Sequence, residues 1–198
     1  MLNNIFCLLI KVMIAVIGII LAAFGIQLIV TANVGMDSVS TLIIGLMNFS
    51  NISFGTWSQL ISLCLLLVTF FVCREKIGIA SILYVVLLGG TLNITEPLMY
   101  NVVFGKFAVL FSLIGFLLYG LGIAIYLSMQ LGAGPIEGLM YIMIKITKLP
   151  IRKVRMINDF LLNLIGFALG AKIGIGTLFG ILCLGPLIDL FLGFRRSK

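Results

Sequence analysis

The second half of the chain repeats the first. Lys76-Ile77-Gly78-Ile79 recurs 96 residues on as Lys172-Ile173-Gly174-Ile175, while Gly18, Gly25 and Gly35 recur 97 residues on as Gly115, Gly122 and Gly132. Both halves are successions of apolar runs. A duplicated apolar unit of this size leaves few folds open, and the one it predicts is a polytopic membrane protein made of two structural repeats.

Composition agrees with that class. Hydrophobic residues make up 62% of the 198 residues and charged residues 10%, against roughly 45–50% and about 25% in soluble domains. Lipid is the solvent such a chain needs. The 22 glycines suit close backbone approach between helices, which in a bilayer associate through van der Waals contact rather than hydrophobic burial. Thirteen Lys and Arg against six Asp and Glu give a net charge of +7. These charges lie between apolar runs, so they report orientation in the bilayer and not nucleic-acid binding. Histidine is absent, which removes the commonest metal ligand and proton relay. Cys7, Cys64, Cys73 and Cys183 show no ligand spacing, so no metal and no cofactor is expected.

Long apolar segments at 12–32, 57–73, 77–95, 107–130, 155–171 and 173–194 are each near the roughly 17–25 residues that span a hydrocarbon core. Val12 to Ala32, preceded by Lys11, imitates a signal peptide, but its counterpart Val109 to Met129 lies deep inside the chain. It is therefore read as a membrane helix. Two shorter stretches, 37–49 and 135–147, cover only about 20 Å at about 1.5 Å per residue. Each is a re-entrant piece, an interfacial helix or a marginal span. The expected fold is all-α, with six long transmembrane helices and two short ones in a single membrane domain over residues 1–198, repeat one at about 12–95 and repeat two at about 107–194.

Whether the short pieces cross the bilayer decides the symmetry. Four crossings per repeat make the repeats parallel, and three make them inverted. Ser50 to Thr56 carries no charge, whereas the counterpart region holds Lys145, Lys148, Arg152, Lys153 and Arg155. Opposite charge bias in equivalent loops favours inverted repeats with both termini in the cytoplasm.

The sharpest local signal is Gln130-Leu131-Gly132-Ala133-Gly134-Pro135-Ile136-Glu137-Gly138. Glycines followed by Pro stop one helix and start another, so a helix is predicted from Pro135. Its free N–H groups suit an anionic ligand group at membrane depth. In the plainer reading, Glu137 complements the helix dipole and Gly132 and Gly134 make a tight turn. The equivalent stretch of repeat one is Asn33-Val34-Gly35-Met36-Asp37-Ser38, in which Asp37 is an N-cap candidate.

Arg155, Asp159, Asn163, Gly166 and Gly170 follow helical spacing and share one predicted face. An ionised Asp at the bilayer centre costs on the order of 2.5–3.5 kcal/mol, so Asp159 is expected inside the protein and paired with Arg155. Two readings fit: the stripe lines a polar cavity, or it is a structural ion pair beside a glycine seam. Repeat one offers Ser58, Ser62, Thr69 and Cys73 at the equivalent positions. In the last segment, Gly185-Pro186 predicts a kink or break, and Asp189 reads as interfacial.

At these residues the chain resembles the YczE/YyaS/YitT group of bacterial integral membrane proteins, most closely its YczE-like branch. The carrying residues are Leu131-Gly132-Ala133-Gly134-Pro135, Val154-Arg155 ahead of an acid, Gly174-Ile175-Gly176-Thr177 and Gly185-Pro186-Leu187. Repeat one has Met36-Asp37-Ser38 where the branch would have a Pro-Trp-Asp-like element. The resemblance implies a multi-pass protein of the bacterial plasma membrane and supplies no catalytic residues.

Two functions account for these features. In the first, the chain is a small-solute transporter or the membrane substrate-binding subunit of one, with its site between the repeats. Gly132, Gly134, Pro135, Glu137, Arg155, Asp159 and Asn163 come from one half, and Gln27, Asn33 and Asp37 from the other. In the second, it is a membrane accessory factor supporting a neighbouring enzyme or export system, with the basic loop 145–155 as the docking site for a protein or anionic lipid. No nucleophile elbow and no nucleotide-binding loop occurs in the sequence, so an enzyme is not expected.

Overall fold

The computed structural model describes residues 2–196, with side chains for 5–193, and among them every regular element is helical. The order is α1 (Leu2–Ala32), α2 (Ser38–Met47), α3 (Phe54–Val72), α4 (Ile79–Met99), α5 (Ala108–Ser128), α6 (Pro135–Thr147), α7 (Ile151–Ala168) and α8 (Ile175–Arg196). Short 3₁₀ turns precede α4 at Arg74–Lys76 and α5 at Gly105–Phe107. The long, short, long, long order expected for each half is present. Five helices, α1, α3, α4, α5 and α8, are long and apolar enough to cross a membrane. The sixth expected span, α7, reaches 18 residues, but Arg152, Lys153, Arg155 and Asp159 make it amphipathic. Residues such as Ile94 and Phe160 are exposed on the outside of the bundle, as lipid contact requires.

The largest helix contact is α1 against α5, and glycine makes it. A Cβ added at Gly18 would lie 2.8 Å from the Gly122 carbonyl oxygen, and one at Gly122 would lie 2.5 Å from that of Gly18. Gly25 and Gly115 face each other in the same reciprocal way, at 2.6 and 2.8 Å. The two backbones touch with no side chain between them. Because Gly18 meets the later glycine of α5 and Gly25 the earlier one, α1 and α5 run antiparallel. Ala22, Ile26, Ile29, Phe116, Ile123 and Tyr126 fill the rest of this core.

The short helices start inside the fold. After α1 the chain reverses at Asn33 and Gly35, both with positive φ. It then runs extended beside the start of α8: Gly176 N–H donates to the Val34 carbonyl at 3.0 Å, and Met36 N–H to Thr177 Oγ1 at 3.1 Å. α2 then runs outward parallel to α7, from the Ser38–Asp159 contact to Asn48, whose Nδ2 donates to the Leu169 carbonyl at 2.9 Å. The other half repeats this course. Gln130 and Gly132 have positive φ, Ala80 N–H donates to the Leu131 carbonyl at 3.0 Å, and α6 leaves parallel to α3 with Gly138 against Thr69.

Two expectations are corrected. Gly170 does not lie on the α7 face, because the helix ends at Ala168. Gly170 has φ +91°, and the bonds Ala171 N–H to Gly166 O and Gly170 N–H to Phe167 O, each 2.9 Å, close the helix. This is the left-handed residue and paired bonding of a Schellman stop. Of the kink or break expected at Pro186, the break is absent: α8 is continuous from Ile175 to Arg196, because a proline removes one bond of a ladder that resumes on either side.

The seam predicts an asymmetry between glycines. Gly25→Ala should lower stability in detergent by about 1–3 kcal/mol, because the methyl group would overlap backbone that cannot move aside. Gly90, in α4, has open space at the equivalent point, so Gly90→Ala should be neutral or stabilising by up to about 1 kcal/mol. Thermal unfolding of the two variants reads the difference, and equal effects would refute a backbone-contact seam.

Candidate functional site

The start of α2 faces the middle of α7, and the polar residues of both halves meet there. Asp37 is the N-cap of α2, its Oδ2 accepting from Ser40 N–H at 3.3 Å. The next residue, Ser38, donates its hydroxyl to Asp159 Oδ1 at 2.6 Å. The other carboxylate oxygen of Asp159 lies 3.8 Å from Arg155 Nε, one turn back on α7. The expected Arg155–Asp159 pair is therefore present, and the first half adds a hydroxyl from 121 residues away, a partner that no local pattern could assign. Asn163 Nδ2 donates to the Asp159 carbonyl at 2.9 Å.

Several buried polar atoms, most of them in or beside these residues, lack partners. Asp37 Oδ1, Arg155 Nε, Asn158 Nδ2, Asn163 Oδ1 and Gln27 Oε1 are buried without a hydrogen bond. Gln27 uses only its Nε2, toward Thr31 Oγ1 at 3.4 Å. Most buried polar groups are satisfied, and each unsatisfied one carries a penalty of about 1–3 kcal/mol.

Arg155 also reaches an open cavity of about 450 Å³. Glu137 and Tyr141 of α6, Arg152 and Arg155 of α7, and Asp189 of α8 supply its polar wall. Gly185 lets Arg155 lie flat along α8, since a Cβ there would sit 3.0 Å from Arg155 Cδ. Asp189 is exposed, in keeping with an interfacial position, and it forms part of the cavity mouth.

The Gly-Pro helix start is differently used. Pro135 begins α6 with Gly134 at its N-cap, and the space beside Gly134 is filled by the Tyr126 hydroxyl and the Glu137 carboxylate. Tyr126 Oη donates to Glu137 Oε2 at 2.8 Å. The negative group at this dipole is the protein's own. Gly132 packs on Gly78 and Ser81, and Asn33 is an exposed turn residue; neither meets the cluster. Gln27, Asp37, Arg155, Asp159 and Asn163 are inside the protein or, for Arg155, largely so.

Sequence reasoning missed the tyrosines. Tyr119 and Tyr126 lie seven residues apart on the glycine face of α5, and Tyr84 of α4 packs on Tyr126 with the rings tilted by 53° and their centroids 5.3 Å apart. All three are buried. Their spacing with Gly115 and Gly122 was the available signal.

Among the described residues the chain is all-helical, with five helices long and apolar enough to cross a membrane, which is the character of a membrane protein. It belongs to the family of unknown function DUF6198, whose profile matches residues 9–193. It is 31% identical over 167 residues to an uncharacterized protein of Haemophilus influenzae, covering 83% of this chain and 75% of that one. It is 28% identical to the uncharacterized protein YyaS of Bacillus subtilis, covering 89% of each chain. Against the uncharacterized membrane protein YczE of the same organism the identity is 24%, covering 86% of this chain and 80% of YczE. No solved structure matches.

The ion pair predicts non-additive mutations. Arg155→Ala or Asp159→Ala alone strands a charge in an apolar interior, at a cost of about 1–3 kcal/mol, discounted because the Arg155 side chain keeps 17% exposure. The double variant should unfold at a higher temperature than either single variant. Additive losses would show that the two charges are separately solvated.

Proposed function

We propose that this protein is a carrier for a small solute bearing an anionic group, or the membrane subunit that binds one, with its site between two inverted repeats. The observation that carries the reading is the Asp37–Ser38–Asp159–Arg155 cluster, built from both halves beside the cavity. An Arg on a cavity wall, held by only one long contact, is suited to a carboxylate or phosphate. The cluster and the cavity suit binding and movement of a solute.

The contacts support inversion. α1 and α5, first helices of their repeats, run antiparallel, and the exchange of α2 onto α7 is mirrored by that of α6 onto α3. In this reading α2 and α6 enter the bilayer as extended chain and leave as helix, α7 is the sixth crossing, and a pseudo-two-fold axis lies in the membrane plane. Irregular backbone at depth is acceptable there because protein covers it. Arg74, Lys76, Lys145, Lys148, Arg152 and Lys153 gather at one end of the bundle, while Lys106 and Lys172 lie at the other. By the positive-inside rule this distribution supports an orientation with the first end, the cavity mouth and both termini in the cytoplasm of a bacterial cell. The basic loop 145–155 is partly used within the fold: Lys145 Nζ donates to the Val72 carbonyl at 3.2 Å and Arg152 lines the cavity. Lys148 and Lys153 remain exposed for anionic lipid or a partner.

Uptake and binding in proteoliposomes across a panel of small carboxylates and phosphates tests this. Wild type should accumulate a member of the panel, and Arg155→Ala should lower its uptake or affinity at least tenfold. Binding without uptake would make the chain the binding subunit of a larger carrier. No binding by folded protein would overturn the reading in favour of an accessory factor.

A further inference from the structure

We propose that a second, smaller cavity beside the cluster is a sodium site, which gives the carrier reading above its coupling ion. The cavity measures about 20 Å³ and is walled by Asp37 and Ser40 of α2, Ser58 and Ser62 of α3, Tyr84 of α4 and Tyr119 of α5. Its other lining residues are apolar, and no Lys or Arg reaches it. A space of about 10–15 Å³ holds one water-sized particle, so this one takes a single small ion or water.

The chemistry of the wall selects the occupant. Asp37 is 2% exposed, its Oδ2 is committed to capping α2, and its Oδ1 has no partner. Arg155, the cation nearest along the cluster, is directed to Asp159. The carboxylate thus lacks a counter-ion in an apolar interior, where an uncompensated charge is costly. Ser58 and Ser62 stand one turn apart on α3 and present hydroxyls to the same space. Oxygen-only walls suit hard cations, and the absence of sulfur or imidazole excludes sites for softer metals. One carboxylate balances one positive charge, which favours a monovalent ion over Ca²⁺ or Mg²⁺. The water-sized volume suits Na⁺ better than K⁺. A proton would neutralise Asp37 but leave the hydroxyl-walled space unfilled.

The placement gives the ion leverage. Its ligands come from α2, α3, α4 and α5, so binding ties the re-entrant helix to three spans. Asp37 precedes Ser38, which holds Asp159 and through it Arg155. An ion that fixes the start of α2 therefore favours one arrangement of the solute site, and by linkage the solute favours the ion.

Purified full-length protein in detergent, unfolded thermally in NaCl, KCl or choline chloride at equal ionic strength and fixed pH, tests the site without a solute. Na⁺ should raise the midpoint saturably, K⁺ and choline should not, and Asp37→Asn should weaken the Na⁺ response at least tenfold. Asn caps a helix as well as Asp does, so this variant keeps α2. Should it fail to fold, Ser58→Ala combined with Ser62→Ala gives the same readout. Equal midpoints in NaCl and choline chloride for wild type, an unchanged Na⁺ response in the folded variants, or a midpoint that follows pH and ignores Na⁺ would each overturn the proposal. Loss of the sodium response leaves the carrier reading standing, and silence in uptake leaves a measured sodium response standing.

Discussion

The backbone contact between α1 and α5 is the constraint on which the remaining architecture depends. Lipid offers helices no hydrophobic reason to associate, so the seam relies on close packing along Gly18, Gly25, Gly115 and Gly122. Each of these glycines lies where a single methyl group would overlap the opposing main chain. Because the seam joins equivalent helices of the two halves, it also sets how the halves lie to each other. The flanking contacts then come in matched sets, α4 on α1 and α8 on α5, α2 on α7 and α6 on α3.

That exchange explains where polarity can be afforded. A helix that starts inside the fold exposes N–H groups that need partners, and each short helix meets this need with residues at its own start. Asp37 caps α2. At α6, proline removes one donor and Glu137 supplies negative charge. The two halves then diverge: the Glu137 carboxylate is occupied by Tyr126, whereas Asp37 retains a free oxygen and adjoins the Ser38–Asp159–Arg155 chain. The two halves follow the same order of helices but differ in electrostatics.

Much of this was legible in the sequence because it is local. The start of α6 at Pro135, the cap at Asp37 and the Arg155–Asp159 pair each follow from residues within one turn of each other. The turn at Gly170 was misread, since a glycine at helical spacing also serves as a stop, and of the kink or break expected at Pro186 the break is absent, since the ladder resumes beyond the proline. The Ser38–Asp159 bond joins residues 121 apart in sequence, and the tyrosines matter through packing between α4, α5 and α6. No periodicity encodes such pairings.

The account stands on inversion of the halves, and labelling of equivalent positions measures it most directly. Asn51 and Lys148 are 97 residues apart, exposed, and each follows the short helix of its half. Single cysteines at these positions, in a background lacking Cys7, Cys64, Cys73 and Cys183, would be challenged with a membrane-impermeant thiol reagent. The account predicts that the cysteine at 51 reacts in intact cells and the one at 148 only after the membrane is opened. Reaction of both from the same side would contradict it and require parallel halves with α2 and α6 crossing the bilayer.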